Sequence, residues 1–295
     1  MTVAGTGLSP ALWELVLEVA RVPSFSSFEG CLHSVIRRLL ADCPGVQFIP
    51  VPENNLIVTL PGRAGAQPIA LAAHLDKINH YAEGVHEIPA WADSGKLIGA
   101  MDDSAGVGVC LAMARRAAHG RFPPLWLLFS EMEESFGLNH HPERLRKGGE
   151  GLTAGLGAIR ISQTLRAWGQ SPAAVVVIDT TPLFRGQPGC ALYCEPWELA
   201  PLSASPELRQ ATAVVRDQLL ALDPKLQIHN NENDYLEYAV HLNCPGLMPV
   251  PCLALEPSIG PYHQRDEQVF VADLERIESL LTRWLAAPEL AKAVA

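Results

Sequence analysis

Two adjacent carboxylates, Asp102 and Asp103, stand where a loop leads into an apolar segment of the chain. The small and apolar residues that follow predict a helix that runs to about Ala118. A carboxylate at the start of a helix is stabilised, because the first backbone amides point at it and the helix dipole favours negative charge there. Two neighbouring acids repel each other, so the pair indicates a bound cation.

Other residues that commonly bind metal ions follow apolar runs that predict buried strands. They are His74 and Asp76, Glu133 and Glu134, Asp179, and His263. Because open α/β sheets bind ligands at the carboxyl ends of their strands, we expect these side chains to meet at one edge. Two histidines with several carboxylates and no cysteine favour a hydrolytic zinc site with one or two ions. Two ions about 3.5–4 Å apart can share a bridging carboxylate, and a carboxylate that is not a ligand can serve as general base.

The elements that position these residues are predicted from the spacing of the apolar residues. Helices are predicted over residues 10–22, 29–41, 102–118, 159–168, 206–222 and 271–285. Strands are predicted over residues 47–50, 55–60, 68–73, 125–129, 173–178, 189–193 and 250–255. Residues 74–100 are predicted to be a loop, and residues 139–157 a long surface excursion.

This alternation of strands and helices predicts an α/β protein. The expected architecture is a three-layer α/β/α sandwich, in which helices cover both faces of a mixed, largely parallel central sheet. No internal repeat, low-complexity segment or linker divides the chain. We therefore predict a single catalytic domain over residues 1–295, without a separate dimerisation or lid domain.

Composition and charge exclude several classes of function. Hydrophobic residues make up 48% and charged residues 18% of the chain, which is typical of a folded domain. The formal net charge of −10 argues against a nucleic-acid partner, which requires a basic face. The first residues do not resemble a secretory signal, and no apolar run reaches the roughly 18–20 residues that span a membrane. The seven cysteines are scattered, as in a reducing compartment, so we predict a cytoplasmic protein.

The order of the motifs resembles that of the co-catalytic zinc peptidases of families M28, M42 and M20. Those families share the pattern His-x-Asp, Asp-Asp or Asp-Asn before a helix of small residues, Glu-Glu, Asp, and a late His. In this chain the pattern is similar to His74-Leu75-Asp76, Asp102-Asp103, Glu133-Glu134, Asp179 and His263. Residues 15–29 also resemble the amino terminus of M20 and M42 peptidases. Because no segment is long enough for their inserted domain, the layout is closest to M28.

The resemblance implies a role for each of these residues. Asp102 would bridge two zinc ions, for which cobalt or manganese could substitute. His74 and Glu134 would each bind one of the two ions, and Asp179 and His263 would complete the two sites. Glu133 would be the general base, and Asp76 would orient His74, as a histidine ligand usually requires. The implied fold is that of the zinc-peptidase and phosphorylase-hydrolase type.

One departure from the family pattern leaves the glutamate roles open. The segment Glu134-Ser135-Phe136-Gly137-Leu138 carries one residue more than the Glu-Glu-x-Gly-Leu of many relatives. With Glu131 nearby, three glutamates are candidates for two roles. We assign the roles to Glu133 and Glu134, because they form the adjacent pair.

The implied activity is that of an aminopeptidase acting on small peptides, in a protein that could form a homo-oligomer. A deacylase of N-acyl amino acids is the first alternative, and it would bind the substrate carboxylate through Arg185 or Arg265. A degenerate, non-catalytic binding protein is the second alternative. Tyr262 and Asp234 could line the substrate pocket, although packing roles explain them equally well.

Overall fold

The computed structural model describes residues 11–81, 84–118, 122–134, 154–244 and 246–287. The helices within these ranges are α1 (Leu12–Ala20), α2 (Cys31–Leu39), α3 (Ser104–Ala117), α4 (Leu156–Ala167), α5 (Pro206–Leu222), α6 (Asp234–Leu242) and α7 (Val271–Ala286). The strands are β1 (Gln47–Pro50), β2 (Leu56–Leu60), β3 (Ile69–His74), β4 (Trp91–Asp93), β5 (Lys96–Gly99), β6 (Leu125–Ser130), β7 (Ala174–Ile178), β8 (Cys190–Tyr193), β9 (Gln227–His229), β10 (Cys252–Pro257), β11 (Ile259–Gly260) and β12 (Glu267–Phe270).

A mixed sheet forms the centre of the fold, as the sequence predicts. In the part of the chain that the structure describes, its eight strands run in the order β1-β2-β6-β3-β7-β10-β8-β9. The four central strands β6, β3, β7 and β10 are parallel. β2 joins β6 antiparallel, and β8 joins β10 antiparallel. The carboxyl ends of the parallel strands therefore meet at one edge, with His74 of β3 opposite Ser130 of β6.

Helices cover both faces of this sheet, which confirms the predicted sandwich. Along β3 the side chains alternate between two apolar clusters: Leu71 packs with residues of α1, α3 and α7, whereas Ala70 and Ala72 pack with residues of α4 and α6. β7 alternates in the same way, with Val176 in the first cluster and Val175 in the second. A strand that is buried on both faces must be apolar at every position, which explains the continuous apolar runs in the sequence.

Two glycines let α3 approach its neighbours closely. A Cβ atom on Gly106 would lie 2.2 Å from the carbonyl oxygen of Ile178, at the end of β7. A Cβ atom on Gly108 would lie 2.3 Å from Cγ2 of Val16 in α1. Neither position has room for a side chain, so Gly106 lets the first turn of α3 lie against the carboxyl end of β7, and Gly108 lets α3 lie against α1. This contact brings Asp102, just before α3, to the edge where β3 and β7 end.

A second, smaller sheet corrects the prediction that residues 74–100 form a loop. Within the described residues this sheet has four antiparallel strands, in the order β11-β12-β5-β4. β4 and β5 are only three and four residues long, and all of β4 is exposed. The partner of β5 is β12, about 170 positions further along the chain, which the sequence reading also left without a strand. Short strands without apolar alternation give too weak a local signal to be recognised.

Two other elements, β9 and α6, were likewise not predicted. The surface excursion predicted over residues 139–157 lies mostly outside the described residues, and its end belongs to α4. None of the helices in the described ranges is long and apolar enough to cross a lipid bilayer.

Lys77 ties the segment after β3 to the end of α1. Its ammonium group is buried and donates hydrogen bonds to the carbonyl oxygens of Val19 (3.2 Å) and Val22 (3.0 Å) and to Oγ of Ser24 (2.7 Å). Burial lowers the pKa of Lys77 to about 7, because the charged form loses its hydration. The charge of the Lys77 side chain that makes these three hydrogen bonds therefore changes near neutral pH.

We predict that the substitution Lys77→Met weakens the pH dependence of stability above neutral pH. The pKa of Lys77 rises from about 7 to its ordinary value of 10.5 on unfolding, so the unfolded chain binds more protons between these values. The free energy of unfolding of the wild type should therefore increase with pH relative to the variant, by at most about 1.4 kcal/mol per pH unit. Urea denaturation of both proteins near pH 7 and near pH 9 measures this change. If the free energies of unfolding of the two proteins differ by the same amount at both pH values, this result would contradict the lowered pKa of Lys77.

Candidate metal centre

The five predicted metal ligands lie together at the carboxyl edge of the main sheet, and each comes from a different part of the fold. His74 ends β3, Glu134 follows β6, Asp179 follows β7, Asp102 precedes α3, and His263 lies between β11 and β12. His263 is half-buried, whereas the other four side chains are buried. The strand ends and the start of α3 thus bring together residues that are far apart in the sequence.

Asp102 occupies the middle of this group. Its Oδ1 atom lies 3.1 Å from Nε2 of His74, and its Oδ2 atom lies 3.4 Å from Nε2 of His263. Each histidine has a second carboxylate beside it. Nε2 of His74 is 3.7 Å from Oδ1 of Asp179, and Nε2 of His263 is 3.1 Å from Oε1 of Glu134. The result is two sets of three side chains that share one carboxylate.

The spacing of these donor atoms suits metal ions. One donor atom each from His74, Asp102 and Glu134 all lie within 4.8 Å of one another, and the same holds for His74, Asp103 and Asp179. All of these side chains are buried. Imidazole nitrogens and carboxylate oxygens at such spacing are ligands that zinc accepts.

Asp76 contacts His74 and the backbone of the glutamate pair. Its Oδ1 atom lies 3.3 Å from Nδ1 of His74 and accepts the backbone N–H of Glu133 at 3.0 Å. Its Oδ2 atom accepts the backbone N–H of Glu134 at 2.8 Å and the hydroxyl of Ser26 at 2.7 Å. The backbone carbonyl oxygen of Asp76 also lies 3.0 Å from Nδ1 of His74, so Asp76 holds His74 with its Nε2 atom towards Asp102 and its carboxylate holds the backbone of the glutamate pair.

The contacts of Glu131 separate it from the other two glutamates. Its carboxylate accepts hydrogen bonds from the backbone N–H of Asn54 (3.0 Å) and from Nδ2 of Asn55 (2.7 Å), and it pairs with Arg160. This side chain is part of the scaffold beneath the site. Glu133 and Glu134 remain as candidates for the two functional roles. The residue by which this segment exceeds the family pattern falls in residues 135–153, which lie outside the described part of the chain.

The neighbouring carboxylates favour the protonated form of both histidines. Burial alone would lower the pKa of His74, but hydrogen bonds to Asp102, Asp179 and Asp76 outweigh it and raise that pKa well above its usual range. Burial also opposes the protonated form of His263, whereas hydrogen bonds to Asp102 and Glu134 raise its pKa to about 10. The surrounding carboxylates thus favour a cation at both positions.

The carboxylates respond to the same environment. Burial, with repulsion from Asp102, raises the pKa of Glu134 to about 7, and burial raises the pKa of Glu133 well above its usual range. For Asp102 burial acts in the same direction, but the hydrogen bonds to the two histidines outweigh it and lower its pKa. Burial and mutual repulsion therefore oppose full ionisation of these carboxylates in the absence of a cation.

Asp103 has an acceptor atom left over. Its Oδ1 atom caps α3 by accepting the backbone N–H of Gly106 at 2.7 Å. Its Oδ2 atom is buried and has no hydrogen-bond partner among the described residues. A buried carboxylate oxygen without a donor is costly, and a nearby cation would compensate it.

Sequence reasoning missed Glu267, the first residue of β12. Its carboxylate is buried and accepts backbone N–H groups of Met101, Asp102 and His263 at 2.9–3.1 Å. The sequence offers no signal for this role except an acid four positions after His263.

The remaining candidate residues differ in their exposure and contacts. Arg185 and Arg265 are exposed, and the guanidinium group of Arg265 lies over the ring of Tyr81 at 5.4 Å. Tyr262 stacks on His263, with 3.7 Å between the ring centroids. Asp234 is buried and accepts a hydrogen bond from the hydroxyl of Ser130, so it packs beneath the site.

Comparison with solved structures finds the same fold in several peptidases. A TET aminopeptidase from a marine sediment archaeon of the Thaumarchaeota has a TM-score of 0.68 and 11% sequence identity, and the alignment covers 96% of this chain and 99% of that one. An aminopeptidase from the archaeon Desulfurococcus kamchatkensis has a TM-score of 0.64 and 13% identity, covering 96% and 97%. The TET1 peptidase of Pyrococcus horikoshii has a TM-score of 0.62 and 14% identity, covering 94% and 100%. At such identities the similarity concerns the fold.

The family of the chain is shown by a match to a family model, whereas these structures show only its fold. No curated protein sequence matches the chain significantly. The model of peptidase family M28, in contrast, matches residues 55–278, a range that includes all five candidate ligands. Because this match spans well over half of the sequence, the chain belongs to peptidase family M28.

Proposed function

We propose that this chain is an aminopeptidase that hydrolyses small peptides and binds two zinc ions at the candidate metal centre. The observation that carries the proposal is the carboxylate of Asp102, whose two oxygen atoms face different histidines, each with a further carboxylate beside it. Membership of a peptidase family supports a hydrolytic reaction. The similar structures that are named aminopeptidases support a preference for the amino terminus of the substrate.

The residues present fit such a group. Imidazole nitrogens and carboxylate oxygens without cysteine suit zinc, and cobalt or manganese accept the same ligands. The unpaired Oδ2 atom of Asp103 and the raised pKa values of His74 and His263 support a centre that favours positive charge. Binding of metal ions would displace the protons that the histidines carry.

We assign the ligands by the two sets that share Asp102. One ion would be held by His74, Asp102 and Asp179, and the other by Asp102, Glu134 and His263. Zinc in such a site supplies Lewis-acid chemistry: it lowers the pKa of a bound water and polarises a carbonyl group. Asp76 keeps His74 in the orientation that this assignment needs.

Glu133 is the residue we assign as general base. Its backbone is held by Asp76, and burial raises its pKa, so its carboxylate can accept a proton from the attacking water and then donate it to the leaving amine. Tyr262 is a candidate donor to the oxygen atom that gains negative charge. Burial and the neighbouring carboxylates raise the pKa of its phenol, which keeps the hydroxyl protonated.

We also propose that the whole chain acts as a single catalytic domain, because the small sheet supplies residues that contact the ligand-bearing segments. A homo-oligomer is supported by the TET1 peptidase of Pyrococcus horikoshii, which assembles into a tetrahedron or a large octahedral shell. A cytoplasmic location is supported by the cysteines, all seven of which are free thiols.

One prediction for the proposed centre concerns its metal content. Protein purified without chelator should contain about two equivalents of zinc, cobalt or manganese per chain, measured by elemental mass spectrometry. His74→Ala should lose metal, because it removes a nitrogen ligand next to Asp102. The matched control is His86→Ala, which changes an exposed histidine and should retain both ions. One equivalent in the wild type would contradict the pair of ions, and none after addition of zinc would contradict the proposed function.

Another prediction for the centre separates the general base from the metal ligands. Glu133→Gln should lower kcat about 10²- to 10⁴-fold and leave metal content unchanged, because the amide cannot accept the proton. The exposed Glu275 in α7 provides the control, and Glu275→Gln should be as active as the wild type. Activity should be measured on a panel of short peptides and N-acyl amino acids. Full activity of Glu133→Gln would remove Glu133 from the base role, and cleavage of the N-acyl amino acids alone would favour a deacylase.

A further inference from the structure

We propose that Glu267 is a positioning residue, which holds the backbone on both sides of the metal centre and thereby sets how tightly the centre binds its ions. The inference rests on the proposed function, because it assumes that Asp102 and His263 are ligands. Oε2 of Glu267 accepts the backbone N–H groups of Met101 (2.9 Å) and Asp102 (3.1 Å). Its Oε1 atom accepts the backbone N–H of His263 at 3.1 Å.

The two segments that Glu267 joins have no regular structure of their own at these positions. Asp102 lies in the short connection between β5 and α3, and His263 lies in the loop between β11 and β12. The backbone of His263 has a φ angle of 54°, in the left-handed region that residues other than glycine rarely adopt. Such a conformation persists only where its surroundings hold it in place. The hydrogen bond from its N–H to Glu267 is one such restraint.

Glu267 itself is well anchored. It is the first residue of β12 and pairs with Gly99, the last residue of β5, in the small sheet. Its side chain is buried, with 5% of its surface exposed. Because the small sheet fixes Glu267, its carboxylate can hold the backbone of Asp102 and His263 in a defined position.

Three donors require both oxygen atoms of a carboxylate. A glutamine at this position would turn an NH₂ group towards a backbone N–H on one side, because an amide has only one acceptor oxygen. An aspartate would keep the charge but would be one methylene shorter than the distance from β12 requires.

The geometry parallels that of Asp76 on the other side of the centre. Asp76 accepts the backbone N–H groups of Glu133 and Glu134 and contacts the ring of His74. Glu267 accepts the backbone N–H groups of Asp102 and His263. Between them, these two buried carboxylates contact the side chain or the backbone of four of the five candidate ligands.

The test compares zinc affinity and stability in Glu267→Asp, Glu267→Gln and a control variant. The control is Asp273→Asn, which alters another buried acid that accepts a backbone N–H, from Gly189 at 2.8 Å, away from the candidate ligands. Zinc affinity is measured on the full chain by competition with a chromophoric chelator. The free energy of unfolding is measured by urea denaturation in the presence of excess chelator, so that it reports the metal-free fold.

We expect Glu267→Asp and Glu267→Gln to bind zinc roughly 10- to 100-fold more weakly than the wild type, as for other residues that orient metal ligands. Asp273→Asn should lose stability and keep the affinity of the wild type. Wild-type affinity in Glu267→Asp would overturn the positioning role, because it would leave only the charge of Glu267 to act. If Glu267→Gln does not fold, Glu267→Asp alone decides.

The outcome also distinguishes this inference from the function on which it rests. A wild-type protein that binds no zinc would contradict the proposed function and the inference together. A wild type that binds zinc, with unchanged affinity in Glu267→Asp, would contradict the inference alone.

Discussion

Repulsion between buried carboxylates is the constraint around which this structure is arranged. Asp102 faces two histidines with its two oxygen atoms, and Asp179 and Glu134 stand beside those histidines. Side chains of like charge separate unless other interactions hold them together. Here the restraints come from strand ends that meet at one edge, from the close packing of α3 on β7, and from two carboxylates that accept backbone N–H groups. The hydrogen bonds that Asp76 and Glu267 accept thus help to keep these acidic residues close to one another.

The parts of the fold that the sequence predicts well are those with a strong local pattern. The buried strand β3 appears as a continuous apolar run, and α5 was predicted with the bounds that it has in the structure, Pro206–Leu222. The small sheet was missed because its strands are short and partly exposed, and because β5 pairs with a strand far along the chain. Pairing between distant short segments depends on the tertiary structure, for which a single sequence carries little local signal.

The same distinction applies to the site. The order of the motifs pointed to His74, Asp102 and the other candidate ligands because each is a side chain whose chemistry can be recognised from its type. Glu267 could not be found in this way, since it acts on backbone N–H groups, and the residue type of a single acid does not reveal such contacts. The sequence favoured Glu133 and Glu134 over Glu131 because they form the adjacent pair, and the structure adds the contacts of Glu131 with Asn54, Asn55 and Arg160, which no local pattern predicts.

Protons and metal ions compete for the same negative charge at this centre. Without metal, the pKa of His263 is about 10 and that of Glu134 is about 7. Bound protons therefore compensate part of the negative charge that metal ions would otherwise compensate. A metal ion that binds must displace these protons, and its apparent affinity therefore falls as the pH decreases. The ion also binds the folded chain in preference to the unfolded one, which couples occupancy to stability. Metal loss on acidification and loss of stability would then share one cause, the carboxylates gathered around Asp102.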